Sequence, residues 1–272
     1  MWAVLAVVVV VVVVVVAVNT AALVHDANEL CRRRKETMET ACVTLENVEV
    51  KHGNMSVPKK LDACVGLGST GLVFQVGSHA VKVNMPDYQH NVIDEAEMYA
   101  HLGNVDGLIP IVSSGTANNG LRAWLIMPLM CPLPMKLTEQ QALVVGTRIR
   151  NALLTMHSKG VVHGDISLSN MMYDGEDLGT VVLCDLGHNN AHKCKCQLQR
   201  QIFRLPELQG VEEVDDQLAQ RSDLFALGCV LLDATSKIPW FKLVEHALMK
   251  RKLRATTATQ KLIRDLLITS TT

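Results

Sequence analysis

The stretch VVHGDISLSNMM, residues 161–172, carries His163, Asp165 and Asn170 at short spacing. Five residues from Asp165 to Asn170 put a carboxylate and an amide at one pole of a tight loop. A second carboxylate, Asp185, follows the apolar run VVLC. Upstream, VGLGSTGLVF sets Gly66, Gly68 and Gly71 at the spacing G-x-G-x-x-G. Glycines so placed let backbone N–H groups approach phosphate oxygens with no side chain in the way. Lys82 stands eleven residues after Gly71. Glu95 has Met98, Tyr99 and Leu102 at +3, +4 and +7, so it projects from the edge of an apolar helix face. That position suits an ion pair with Lys82. Glu97 is the rival acid, with poorer apolar spacing. Each feature alone has a plain alternative: a β-turn, a surface lysine, a turn aspartate, a solvated helix acid. Together they point to phosphate chemistry.

Such side chains need two kinds of element to hold them. From about residue 57 the runs ACVGL, GLVFQVG and HAVKVNM alternate with Gly-rich turns and predict a small antiparallel sheet. NVIDEAEMYAHL, 91–102, predicts a helix, and LIPIVSSG and LRAWLIMPLM predict two more strands around ANNG. From 138 the period becomes helical. Thr138 with Gln141 forms a capping-box start, and Leu143, Val144, Ile149, Leu153 and Leu154 recur at helical spacing. SDLFALGCVLLDAT reads as a buried helix and ATQKLIRDLLI as a final amphipathic one. A strand-rich first part joined near 128–137 to a helix-rich second part is an α+β, two-lobed layout.

LLTMHSKGVVHGDISLSN closely resembles the catalytic loop of the eukaryotic-type protein kinase superfamily and the helix before it. VVLCDLG resembles the Asp-Phe-Gly motif with Leu186 in place of Phe, RLPE ending at Glu207 resembles Ala-Pro-Glu, and SDLFALG resembles the helix whose Asp223 braces the loop. With the Gly-rich loop, Lys82 and Glu95, seven motifs stand in family order over residues 61–268. The resemblance implies a bilobal fold with lobes at 57–130 and 131–272. It implies ATP and Mg²⁺ as cofactors and a protein Ser/Thr hydroxyl as acceptor. Asp165 is then the catalytic base, Lys82 the contact to the α/β-phosphates, and Asn170 and Asp185 the Mg²⁺ ligands. The nucleotide falls to Gly66, Leu67, Gly68, Ser69, Thr70, Gly71, Val73, Lys82 and Glu95. At a hinge in LIMPLMC, Met127 guards the adenine pocket, and the backbone of Pro128 and Met130 meets the adenine edge. His163 is a support for the loop.

Two positions depart from the family. Gly164 stands where most members have an arginine, and Ser167 where Ser/Thr kinases usually have a lysine. The first removes a contact to a phosphorylated activation loop, so activity without loop phosphorylation is expected. The His-Gly-Asp form resembles tRNA-modification-associated kinases, vaccinia-related kinases and aminoglycoside/choline-type small-molecule kinases; SDLFALG and LPE argue against the last group. The family's late arginine, partner of the Glu207 position, has no clear match. A scaffold that binds nucleotide or a partner without transfer is the rival reading, and a small-molecule kinase or ATPase is a third. Retention of Lys82, Asp165, Asn170 and Asp185 disfavours the scaffold. Compact kinases of this kind occur in large DNA viruses, so a viral source is a further expectation.

The chain has 272 residues, enough for one two-lobed domain, and a net charge of −1, which points to no nucleic acid. Charged residues are only 19%, and mean hydropathy is +0.19. Much of that comes from residues 2–24, where Val7 to Val16 are all valine. This segment is borderline for a membrane helix. Arg32, Arg33, Arg34 and Lys35 follow it, so a signal-anchor with a cytosolic kinase domain is expected, the rivals being a cleaved signal or a low-complexity extension. Residues 25–56 form a linker. Eight cysteines show no regular disulfide spacing. His192, Cys194 and Cys196 lack a fourth ligand for zinc.

Overall fold

The computed structural model describes residues 51–52, 55–56, 63–67, 71–84, 89–117, 122–186, 196–197, 205, 213–236 and 256–269. The chain divides into two units, Met1–Cys64 and Val65–Thr272. Of the first, the short strands β1 (Lys51–His52) and β2 (Met55–Ser56) pair antiparallel.

A five-stranded sheet follows in the chain. Its strands are β3 (Ala63–Leu67), β4 (Gly71–Val76), β5 (His79–Asn84), β6 (Ser113–Ala117) and β7 (Arg122–Pro128), in the order β3-β4-β5-β7-β6. β4 alternates buried and half-buried positions, the period-2 signature of a sheet with one covered face. β5 is buried from Ala80 to Asn84 because β4 and β7 flank it, both antiparallel. Helix α1 (Gln89–Leu102) lies against the sheet and buries Val92, Glu95, Met98, Tyr99 and Leu102.

The strand expected from Leu108 begins only at Ser113. The chain before it is held elsewhere: Ile109 N–H donates to Leu183 O at 3.0 Å, and Leu183 N–H donates to Gly107 O at 2.8 Å. Pro110 then has no N–H to give a ladder. Val105, Leu108 and Ile109 are buried in the shared core.

The helical part is built on α2 (Glu139–Ser158), α3 (Asp216–Thr235) and α4 (Ala258–Thr269). α2 starts on the expected capping box, with both Thr138 and Gln141 side chains reciprocally bonded. Asp215 caps α3 by accepting from Leu218 N–H at 2.8 Å. Lys136 Nζ donates to the Asp233 and Ser236 carbonyls at the other end of α3. β8 (Cys131–Pro132) precedes α2 and pairs with β9 (Met171–Tyr173), which with β10 (Val182–Leu183) follows it, in the order β10-β9-β8; the pair β11 (Cys196–Gln197) and β12 (Glu213–Val214) stands before α3. A sheet-rich part followed by a helical part makes this an α+β, two-lobed fold. Among the described residues no helix is long and apolar enough to cross a membrane. The apolar segment 2–24 lies outside the described residues.

Candidate active site

Lys82 sits in the middle of β5, opposite Val73 on β4 and Leu125 on β7. Its Nζ lies 2.6 Å from Glu95 Oε2 and 2.6 Å from Asp185 Oδ1. Three elements remote in sequence thus meet at one ammonium: the central strand, helix α1 and the chain after β10. Burial alone would lower the Lys82 pKa, but the carboxylates of Glu95 and Asp185 outweigh it and hold the ammonium above the ordinary lysine range. Burial pushes the Glu95 carboxyl up, against the pull of Lys82. Glu95 is fully buried rather than at the edge of its helix face, while the rival Glu97 is exposed.

The loop after α2 is fixed from beneath. Asp223 is completely buried on α3. Its Oδ2 accepts from His163 N–H at 2.8 Å and its Oδ1 from Gly164 N–H at 2.9 Å. His157 Nε2 also lies 3.0 Å from Asp223 Oδ2. His163 Nε2 is 3.1 Å from the Cys184 carbonyl, so it carries the proton there, and Nδ1 accepts from Asp165 N–H at 3.2 Å. Gly164 adopts φ 75, a left-handed turn that glycine takes without strain.

Asn170 Nδ2 donates to Asp165 O at 2.8 Å and to Asp165 Oδ2 at 3.1 Å. Its amide group therefore fixes the aspartate, and its Oδ1 remains as the oxygen with ligating capacity. The Asn170 carbonyl accepts from Cys184 N–H at 2.9 Å and from Cys184 Sγ at 3.3 Å, which ties the loop to the Asp185 segment. Burial pushes the Cys184 thiol up to about 12. Asp185 has φ 70, the one positive value among described non-glycine residues, and Leu186 after it is buried. Strain held at such a residue goes with functional sites. Ser167 Oγ lies 2.7 Å from Ser169 Oγ.

Gly66 lies next to the end of β3 and Gly71 opens β4. A Cβ on Gly71 would come 2.8 Å from Val83 O, so β5 approaches too closely for any side chain. The backbone of Leu67 belongs to β3, while Gly68, Ser69 and Thr70 lie outside the described residues. Met127 is buried opposite Ala80, and Met130 is half-buried just beyond β7. Glu207, His192 and Cys194 lie outside the described residues. Two residues of the site went unread in the sequence: His157, and Tyr99 as anything but an apolar-face residue. A histidine on the α2 side of the loop was the available signal for the first.

Mg²⁺ takes oxygen ligands, keeps waters and is usually held by one or two side chains plus phosphate oxygens. Asp185 and Asn170 fit that donor set. Among the described residues no group of three or more His, Cys, Asp or Glu side chains could form a closed metal cage.

The protein kinase domain family matches residues 64–270. The chain belongs to that family. It is 29% identical over 127 residues to serine/threonine-protein kinase PKH2 of Saccharomyces cerevisiae, covering 43% of this chain and 12% of that protein. It is 29% identical over 143 residues to a probable casein kinase I homolog of Encephalitozoon cuniculi, covering 46% and 40%. It is 32% identical over 109 residues to serine/threonine-protein kinase 16 of Mus musculus, covering 35% and 35%. The matched stretch thus spans less than half the length of each relative. All three are cellular proteins and lend no support to a viral source.

Proposed function

We propose that this chain transfers a phosphoryl group from ATP to Ser/Thr hydroxyls of protein substrates. One observation carries the reading: Lys82 Nζ stands 2.6 Å from both Glu95 and Asp185, while Asn170 holds the Asp165 carboxylate in place. Lys82, steered by Glu95, contacts the α/β-phosphates. The turn between β3 and β4, residues 66–71, covers them with backbone N–H groups, and Met130 meets the adenine edge through its backbone. Asp185 and Asn170 Oδ1 hold Mg²⁺, which supplies charge neutralisation at the phosphates when bound. Asp165 accepts the proton of the substrate hydroxyl and aligns it for attack. The His163 bond to Asp165 N–H and the Asp223 bonds beneath keep that carboxylate from drifting. The lobes are assigned to 57–130 and 131–272.

Ser167 brings a hydroxyl, already paired to Ser169, where an ammonium is usual. Removing one preorganised charge from a phosphoryl transition state costs about 3 kcal/mol, so the enzyme is slow, and with Gly164 in place of the arginine it needs no activation-loop phosphorylation. The test uses the full chain, labelled ATP, Mg²⁺ and a panel of Ser/Thr protein substrates, against Asp165→Asn. The variant should bind nucleotide and lose transfer by about 10²–10⁴-fold. Equally poor transfer by both, with ATP bound by both, refutes the reading in favour of a scaffold.

Membrane attachment through residues 2–24 is a separate proposal, supported by the ten consecutive valines and the basic flank. Full-length protein should sediment with membranes and resist high-salt extraction, and a chain starting at residue 30 should not. Equal behaviour of the two refutes it.

A further inference from the structure

Helices α1 and α2 meet at their C-terminal ends. Such ends leave carbonyls that the helix cannot satisfy by itself. α2 closes on Lys159, with Gly160 N–H bonded to His157 O at 3.0 Å and Val161 N–H to Met156 O at 3.0 Å. That closure does not use the Lys159 carbonyl, which lies 3.1 Å from His101 Nε2 on the last turn of α1. A carbonyl only accepts, so Nε2 carries the proton. α1 closes on Gly103, which adopts φ 64 and donates its N–H to Tyr99 O at 2.9 Å. The Leu102 carbonyl is not used by that closure, and Lys159 Nζ donates to it. There the ammonium also faces the negative end of the α1 dipole. Lys159 thus gives to one of the last two residues of α1 and takes from the other.

The His101 and Lys159 side chains are exposed, so they fill no space in the core. What they join is the site. Glu95, whose carboxylate meets Lys82 Nζ at 2.6 Å, lies two turns before Leu102 on α1. Lys159 stands on the chain that leads through buried Val161 and Val162 to His163 and Asp165. We propose that His101 and Lys159 clasp α1 to the base of the catalytic loop and are positioning residues that hold Glu95 where it steers Lys82. A helix is stiff over two turns, so an end released from the clasp lets α1 tilt on the sheet and draws Glu95 from the lysine. Neither residue has a part in the chemistry itself; both act through Glu95. The clasp is built from the chain's own groups, so this hold on α1 needs no phosphorylated loop. The inference deepens the proposed function and rests on its Lys82–Glu95 pair.

The experiment measures the Kd of mant-ATP at saturating Mg²⁺ by fluorescence, with the full chain and its variants. Thermal unfolding without nucleotide checks that each variant is folded. Lys159→Met keeps the stem and loses the donor, and it should raise the Kd about three- to tenfold, the worth of one net hydrogen bond. Lys159→Arg keeps a donor and should bind close to wild type. Glu95→Gln should itself bind more weakly, and in that background Lys159→Met should add nothing, because the route through Glu95 is already cut. A lysine that only supports the fold would cost the same in both backgrounds, and equal costs overturn the proposal. So does an unchanged Kd in Lys159→Met combined with His101→Leu. If Glu95→Gln alone binds like wild type, the Lys82–Glu95 pair does not serve the phosphates, and that reading falls together with the clasp.

Discussion

Lys82→Met removes an ammonium that stands 2.6 Å from each of two carboxylates, with 8% of its own side chain and 2% of that of Glu95 exposed. Methionine keeps most of the stem, so β5 retains its register and packing. The charge is what disappears. Breaking one partner out of a buried pair destabilises by about 3–5 kcal/mol if the stranded ion stays charged. Glu95 has an escape, because burial already pushes its carboxyl up and Lys82 is the chief influence opposing that. Without the ammonium its carboxyl is pushed up further and takes up a proton more readily. An unfolded glutamate titrates at about 4.3, and each unit of difference is worth about 1.4 kcal/mol. The folded variant then holds a proton that the unfolded chain has released. Its stability must therefore fall as pH rises from about 4.3 until the folded pKa is passed. Protonation limits the loss at pH 7.5 to about 2–4 kcal/mol, and most of it should return at pH 5. Urea unfolding followed by tryptophan fluorescence, with Trp124 buried on β7, measures both. Adding Glu95→Gln to Lys82→Met should restore most of the stability at pH 7.5 and none of the phosphoryl transfer. A loss equal at pH 5 and 7.5, or no loss at all, refutes the stranded carboxylate, and normal turnover refutes the role of Lys82 at the phosphates.

Other consequences follow from neighbouring contacts. Asp185→Asn should abolish Mg²⁺-dependent ATP turnover, since a hard cation prefers a charged oxygen; an unchanged rate and Mg²⁺ dependence would make Asp185 a turn residue only. Asp223→Ala strands the buried N–H groups of His163 and Gly164, each worth about 1–3 kcal/mol, so it should lower stability and slow single-turnover transfer; a wild-type rate would show that the loop holds itself. Gly164→Ala forces a side chain into φ 75 and should cost about 1–2 kcal/mol, read by urea unfolding, whereas unchanged stability would mean the turn relaxes. Cys184, raised to about 12 by burial, remains a thiol at pH 8 and should react with iodoacetamide at least about tenfold more slowly than the exposed Cys131; equal labelling by mass spectrometry would contradict that burial.

The local features of the fold are written in short windows of sequence. Alternation sets β4, a short apolar β-type run sets β5, helical period sets α2 and α4, and the Thr138–Gln141 pair starts α2 where expected. Such features depend on residues within a few positions of one another, so composition and period suffice. The seven motifs in family order likewise lie in the sequence, and the family match over 64–270 agrees with them. What the sequence could not decide is how far apart residues come together. Glu95 and Glu97 share one short helix and one charge, and only the packing of α1 on the sheet buries the first against Lys82 and leaves the second in solvent. The LIPIV run has strand composition, yet Leu183, 74 residues on (183 minus 109), takes the Ile109 N–H, and the run meets the sheet only at its end, where Val112 N–H donates to Ile126 O on β7. The resemblance gives Asp223 the role of bracing the loop, but only tertiary contact supplies its partners, His157, His163 and Gly164. Tyr99 reads as one more apolar position until packing buries its hydroxyl without a hydrogen-bond partner. In each case the energy depends on desolvation and on angstrom-scale distances between remote segments, and these exist only once the chain has closed on itself.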